Sequence, residues 1–388
     1  IFIKKNASYY LLNNNITLKS NVKILSDNAL VKRNGAYKFS VTYKAQTTST
    51  GWAGYDFTVA SSSGFEIGDI LHIKFTTDDY GLDDYFYTII ASGGNTITVN
   101  KTIDPTYSSG TYTITSLSRN IQTEGWSFDG QGGVGGLSGS TAIASHGGAF
   151  NITYSCYSSF KARVFNSKVN TSSYGGGAYY ANNICYKNII ENIDTCMARD
   201  GGGVYQCNFS NINNITFCIA TRYAGGVFSG HNSYIKNIFH CVATSDGGGC
   251  NRCFYSNIEN VSYCTSSTKG GGISFCRYGT LKNISYNVAE STVDGEGGGG
   301  CTDCVQCNII DIHHNTAHQG GGTNTCTNSH FLGNWDGNIA TQSLTPMNNI
   351  YGGGGTGFAW NGSTCLSIWK KTAGISWHDA DHSSTDAT

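Results

Sequence analysis

The chain has 388 residues, a net charge of −1 and only 13% charged residues. That balance excludes the basic stripe a nucleic-acid binder needs, and no run of about 20 apolar residues is present to form a membrane-spanning helix. Gly is abundant (51 copies) and Pro nearly absent (2 copies). Without a collagen period, this reads as turns in a β-structure and not as disorder.

Residues 1–36 hold three short strand runs, at 9–12, 16–18 and 22–25, separated by Asn and Ser. They are expected to form an N-terminal cap and first coil, protected against edge pairing. The chain begins at Ile1 without Met, as a mature or trimmed product would. Residues 37–111 break the rhythm. Runs at 65–73 and 87–99 read as strands, the second around the Gly93-Gly94-Asn95 turn, so a small β insertion is expected. Asp78, Asp79, Asp83 and Asp84 cluster there with Tyr80 and Tyr85. They suit a Ca²⁺ or ligand loop, but a solvated acidic loop is the plainer reading, and no cofactor is expected.

Residues 112–357 carry a repeat. A first marker column reads Cys185, Cys207, Gly230, Cys253, Cys276, Cys304 and Cys326, in steps of 22, 23, 23, 23, 28 and 22 residues. Eleven residues after each of the first six stands a second column, Cys196, Cys218, Cys241, Cys264, Asn287 and Asn315. Between them run Ile190, Ile212, Ile235, Ile258, Leu281 and Ile309, and then Ile193, Ile215, Ile238, Val261, Ile284 and Ile312. Just before the latter sit Asn192, Asn214, Asn237, Asn260, Asn283 and Asp311. A fixed period of this length signals a solenoid. The units are rich in Gly, Asn, Ser, Thr, Tyr and Ile and poor in good helix formers, which favours strands. About 22 residues suffice for three short strands and three turns, one coil of a parallel β-helix. Like residues then stack about 4.8 Å apart, the Ile and Cys as core and the Asn as amide ladders. The longer steps imply loops near 170–174 and 290–296.

The 15 cysteines follow this column order. Free buried thiols satisfy it, and so do cross-coil disulfides, since neighbouring coils lie within Cα range. Cys301-x-x-Cys304-x-x-Cys307 has a metal-ligand look. In an alternating strand Cys301 and Cys304 would face opposite sides, and half of a tetrahedral set is missing, so no metal is expected. Asn6, Asn15, Asn100, Asn151, Asn170, Asn208 and Asn361 open Asn-X-Ser/Thr triplets and are glycosylation candidates. Asn214, Asn260 and Asn283 do so too, but within the ladder column.

Residues 358–388 leave the repeat. They are expected to form a C-terminal cap with a short helix carrying Leu366 and Trp369, with His378 and Asp379 as cap residues. For chemistry, Asp200, Asp246 and Glu296 each precede a glycine run at a coil edge, with Asp303, Asp311, His313 and His314 nearby. Asp200 and Asp246 are two coils apart, within reach of the two-carboxylate geometry of glycoside hydrolysis. Asp before Gly is also ordinary turn chemistry. His240 and His314 share a column with Phe217, Tyr263 and Tyr286, which points to ring stacking.

The units resemble right-handed parallel β-helix repeats of the pectate-lyase-like superfamily. Residues 315–322 (Asn-Thr-Ala-His-Gln-Gly-Gly-Gly) and 241–249 resemble the Gly-Gly repeats of polymorphic outer-membrane-protein and adhesin families. Residues 126–133 resemble the Ile-Asp-Gly-x-Gly phrase of the superfamily, in which the Asp, here Asp129, serves a turn. The insertion is similar to one found early in many secreted and phage β-helix proteins, and the tail is similar to the Trp-rich segment that follows many of them. The Gly-His-Gly and Arg-x-Lys phrases of the glycoside hydrolases with this fold do not occur. The resemblance implies an extracellular, cell-surface or virion-surface β-helix, an adhesin, fibre or filament module that does not catalyse. The alternative it implies is a polysaccharide-degrading enzyme of the tailspike or lyase kind. Expected partners are a polysaccharide or host-surface glycan and further copies of the same chain.

Overall fold

In the computed structural model, Ile212 and Ile215 of the strand Asn211–Thr216 point inward, and the same pair recurs coil after coil. Ile190 pairs with Ile212, Ile212 with Ile235, and Ile235 with Ile258, all in parallel register. Every side chain of both apolar columns is fully or almost fully buried. Each such Ile contributes roughly 1.5–3 kcal/mol through burial, and none can do so without the coil above and below it. The structure describes residues 1–388 except 6–7, 36, 75–85, 103–110, 132–147, 170–177, 182–183, 294–296, 334–336, 342–346, 349, 352–355, 361–364, 371–375 and 378–388.

The described chain is all-β, a parallel β-helix with three long sheets and a short three-stranded one. The first sheet has 13 strands, from Phe2–Ile3 and Lys23–Arg33 through Gln122–Asp129, Ile189–Asp194 and Asn257–Ser262 to His330–Leu332. The second has 11 short strands, among them Val204–Tyr205, Cys250–Asn251, Cys301–Thr302 and Thr323–Asn324. The third has seven, from Met197–Ala198 to Ile339–Ala340. One coil passes from the second sheet to the first, then to the third, and returns through the glycine run. That run is tight. A Cβ at Gly249 would meet Val261 Cγ1 at 2.6 Å and the carbonyl oxygen of Gly272 at 2.8 Å. Among the described residues no helix is long and apolar enough to cross a membrane, which does not bear on spans made of strands.

The corners are made by left-handed residues that are mostly not glycine. In one coil these are Gln206, Phe209, Asn214 and Phe217, with φ of 54°, 50°, 56° and 51°. The next coil repeats them at Ser229, Asn232, Asn237 and His240. A bulky residue in this region is strained by about 1–2 kcal/mol. Stacking offsets that at the fourth corner. Phe217, His240, Tyr263, Tyr286 and His314 form a continuous ladder with ring centroids 4.8, 5.0, 5.0 and 4.9 Å apart. Each aromatic contact is worth about 0.5–1.5 kcal/mol, comparable with the strain.

The insertion is a closed six-stranded antiparallel barrel, running from Ala45–Ala53 to Tyr112–Ser116. Its hairpin Phe86–Gly93 and Thr96–Val99 turns at Gly94-Asn95, as the sequence suggests. Phe39–Val41 is not part of it. That strand pairs with Ile16–Leu18 and Phe150–Asn151 of the second sheet. The barrel docks on the helix through Phe86, whose ring stacks on Tyr186 at 4.9 Å and meets Phe209 edge-on at 5.4 Å. At its neck, wholly buried Asp69 accepts bonds from Lys44 Nζ at 2.9 Å and Ser116 Oγ at 3.0 Å.

Two expectations are corrected. Residues 365–370 form no helix. Cys365–Lys370 is a strand, antiparallel to Thr356–Trp360, so Leu366 and Trp369 belong to a hairpin. Cys301 and Cys304 do not face opposite sides either. The strand Cys301–Thr302 is two residues long and turns at Asp303, φ 51°, which returns Cys304 to the interior. Both are fully buried.

Candidate functional site

The third corner column is the origin of the main surface feature. Asn192, Asn214, Asn237, Asn260, Asn283 and Asp311 all have φ between 53° and 64° and sit within strands of the first sheet. Asn tolerates this conformation better than other side-chain-bearing residues. The amides form the expected ladder. Nδ2 of Asn214, Asn237, Asn260 and Asn283 each donates to the Oδ1 of the preceding Asn, at 3.2, 3.3, 2.9 and 2.9 Å. Further up the sheet the same kink is made by Asn28, φ 57°, and Gly125, φ 76°. Only Gly fits at 125, because a Cβ would lie 2.1 Å from the carbonyl oxygen of Ser26.

The kink recurs at one level in successive strands of this sheet. At its upper end lies a groove of about 460 Å³, lined by Asn28, Ser127, Lys161, Arg163, Asn192, Asp194, Asn214 and Thr216 together with buried Trp126. Arg163 Nη2 donates to Asp194 at 2.8 Å, and Asp194 also accepts from Thr216 Oγ1 at 3.3 Å. Lys161 lies 3.9 Å from Glu191. Below the groove, one outward column runs Glu191, Asn213, Lys236, Glu259 and Lys282. Charges of opposite sign stand one coil apart, with Lys282 4.0 Å from Glu259. Tyr234 donates its hydroxyl to Glu259 at 2.7 Å. The surface thus offers planar amides, hydroxyls, ion pairs and partly exposed cations to an extended polar ligand.

The carboxylates named from the sequence have other surroundings. Asp200 is wholly buried and takes a bidentate bond from Arg222, whose Nε donates at 2.8 Å and whose Nη2 contacts the other oxygen. Asp246 stands two coils on in the same column, with Tyr223 between them. It is half-buried and accepts from Thr268 and, at 3.4 Å, from Ser245. Both acids are thus occupied by the neighbouring coil. Glu296, the acidic run 78–84, and the loop 170–174 lie outside the described residues, as do His378 and Asp379. Asp303 is bonded to Thr325 and lies 3.4 Å from Lys269. His313 and His314 touch through Nδ1 atoms 3.1 Å apart. Asp129 makes the turn expected of it, accepting from the backbone N–H of Gln131 at 3.0 Å.

Among the sequons, Asn208 is buried and its Oδ1 accepts from the backbone of His231 at 2.9 Å, so a glycan there is incompatible with the folded coil. Asn15 and Asn100 are exposed and Asn151 is half-buried. Asn6, Asn170 and Asn361 lie outside the described residues. Surface tyrosines stand in stacks. Tyr263 and Tyr286, and likewise Tyr255 and Tyr278 at 4.7 Å, spend their ring faces on one another and present edges outward. The groove residues Lys161, Arg163 and Asp194 escaped the sequence reading. Their columns mix residue types from coil to coil, as in Asp194, Thr216, Phe239, Ser262, Ser285 and His313, so no single residue type marks them by period.

The 14 cysteines from Cys156 to Cys326 are buried and unbridged. Burial pushes the thiols of Cys207, Cys218, Cys276, Cys301 and Cys326 well above the ordinary thiol range, so they rest neutral in the core.

No protein-family model matches this chain, and no curated protein matches it. Among solved structures it is similar to the tailspike gp61 of Pseudomonas phage phi297, at 12% identity and TM-score 0.42 over 90% of this chain and 67% of that one. It is similar to the tailspike gp49 from Pseudomonas phage LKA1, at 14% identity and TM-score 0.41, covering 86% of this chain. The gp54 tailspike of Acinetobacter baumannii bacteriophage AP22, in complex with A. baumannii capsular saccharide, matches at 13% identity and TM-score 0.40 over 86% of this chain. The chain spans 60% and 64% of the length of the latter two.

Proposed function

We propose that this chain is a surface-exposed β-helix module, of the adhesin, fibre or tailspike kind, that binds an extended glycan along the kinked face of its first sheet and does not cleave it. The observation that carries this reading is the amide-laddered groove beside Arg163 and Asp194. Asparagine amides and a guanidinium–carboxylate pair suit the paired donors and acceptors of sugar hydroxyls, and the cations suit an acidic glycan. An extracellular, cell-surface or virion-surface setting follows from the same reading, as does the adhesin-like resemblance of the glycine repeats. Absence of cleavage is favoured by the state of the Asp200–Asp246 pair, since Asp200 is buried and held by Arg222.

The test is a panel of acidic and neutral polysaccharides measured for binding, with and without Ca²⁺, and assayed in parallel for new reducing ends and unsaturated uronate absorbance. Binding by one glycan class is expected, weakened about 10-fold or more by Arg163→Ala, as loss of a charge-assisted hydrogen bond predicts. Binding unaffected by both Arg163→Ala and Lys161→Ala sinks the groove assignment. Product from any glycan sinks the non-catalytic half of the proposal.

A further inference from the structure

The core holds a group of thiols that packing alone does not require. The sulfurs of Cys301, Cys304 and Cys326 all lie within 4.8 Å of one another, and no other set of three His, Cys, Asp or Glu side chains among the described residues is so grouped. Cys301 and Cys326 are 3.9 Å apart, sulfur to sulfur. All three are buried to within 1% of full coverage. Cys304 also stands near the thiols of Cys276 and Cys307.

The grouping arises from register. Cys304 and Cys326 are successive members of the first marker column. Cys301 belongs to the column Val204, Val227, Cys250, Ile273, Cys301 and Thr323. An aliphatic residue fills that position in three of the six coils, so hydrophobic packing does not call for a thiol at 301. The left-handed corner at Asp303 then brings Cys304 back beside it.

The triangle has the size of a metal site. A metal–thiolate bond of about 2.3 Å implies sulfurs about 4.0 Å apart around a three-coordinate ion in their plane. Zinc calls for a fourth ligand. No fourth metal-ligating side chain joins the group among the described residues, and burial excludes water from that role. Three soft sulfurs with no nitrogen or oxygen side-chain ligand in the group select a soft ion that accepts low coordination. We propose that Cys301, Cys304 and Cys326 form a trigonal thiolate site for a soft monovalent ion of the Cu(I) class, bound within the last described coils of the helix. Binding exchanges thiol protons for the ion and releases them, so it tightens as pH rises. Because the site does not exist in the unfolded chain, the ion also holds three sequence-distant positions together and stabilises the coils that carry them.

The experiment uses the full chain, reduced and handled without oxygen, titrated with Cu(I) against a competing Cu(I) chelator. The readouts are bound copper, the ultraviolet thiolate-to-copper absorption, the metal–sulfur distance by X-ray absorption, and the unfolding midpoint with and without the ion. Expected is one Cu(I) retained against the competitor in a sulfur-only shell, with a raised midpoint. Cys301→Val, which places the side chain of Val227 at the same register, is expected to lower affinity at least 10-fold. Cys250→Val, at the same column two coils away, is expected to leave it unchanged. Cys326→Ala provides a second test if Cys301→Val fails to fold. Copper that binds equally to parent, Cys301→Val and Cys326→Ala overturns the proposal. So do Zn(II) retained in preference to Cu(I), and a Cys301–Cys326 disulfide in the freshly isolated protein.

Discussion

His231 is the most direct way to test whether the coils are joined as described. Its side chain is buried, and its Nδ1 accepts the backbone N–H of Phe254 from the next coil at 3.0 Å. That fixes the neutral tautomer, with the proton on Nε2, 2.8 Å from Ser229 Oγ. Burial pushes the imidazole down from 6.5 to about 4. The folded state therefore refuses a proton that the unfolded chain accepts. Stability is complete above about pH 6.5 and is lost as pH falls toward 4. With about 1.36 kcal/mol per pH unit, the loss reaches roughly 2.5 kcal/mol near pH 4.5. Other groups titrate in that window, so the informative quantity is a difference between two proteins. Asn208 occupies the neighbouring place in the same column and accepts the His231 N–H through Oδ1 at 2.9 Å. His231→Asn thus keeps the inter-coil bond and removes the titration. Urea unfolding of both proteins at about pH 7 and about pH 4.5 should show the parent losing roughly 2 kcal/mol more than the variant. Equal losses would falsify the account of His231 as a neutral buried acceptor.

Three further outcomes are expected. Arg222→Ala leaves buried Asp200 without its partner and should destabilise the fold by about 3 kcal/mol, measured by denaturation. An unchanged midpoint would mean the pair is dispensable. Gly249→Ala forces a methyl against Val261 and the Gly272 carbonyl and should cost about 1–3 kcal/mol or more, read from the thermal midpoint or from loss of soluble protein. At the ladder corner, Asn237→Val combines lost amide bonds with a β-branched residue in the left-handed region, whereas Asn237→Gly loses only the bonds. Val should be the worse by about 1–2 kcal/mol. Equal effects would show that the kink is not held where described.

Much of the architecture is legible in the sequence because a solenoid writes each structural column as a period. Ile212 and Ile215, the Asn192–Asn283 ladder and the ring stack from Phe217 to His314 can all be read from spacing, since one coil's environment is the next coil's environment. Asp129 is legible for a different reason, because its turn is local. Three of the barrel strands, at 65–73 and 87–99, are legible one by one, but the other three and the closure are not, because antiparallel pairing among 45–116 leaves no period. The tail fails in the opposite way. Leu366 and Trp369 stand at helical spacing, and that spacing alone does not exclude the strand that forms there.

The sequence by itself determined what repeats: a β-helix of about 22 residues per coil, the identity of its buried columns and the level at which each chain segment turns. Tertiary structure alone decided what does not repeat. It spent Asp200 on Arg222, placed a groove on the first sheet beside Arg163 and Asp194, and closed Cys301, Cys304 and Cys326 into one buried triangle. The physical reason is the same in each case. A column is set by residues one coil apart, which the period records. A contact across a corner depends on left-handed turns at positions such as Asn192 and Asp303, and a side chain's neighbours there are chosen by backbone geometry that no spacing encodes.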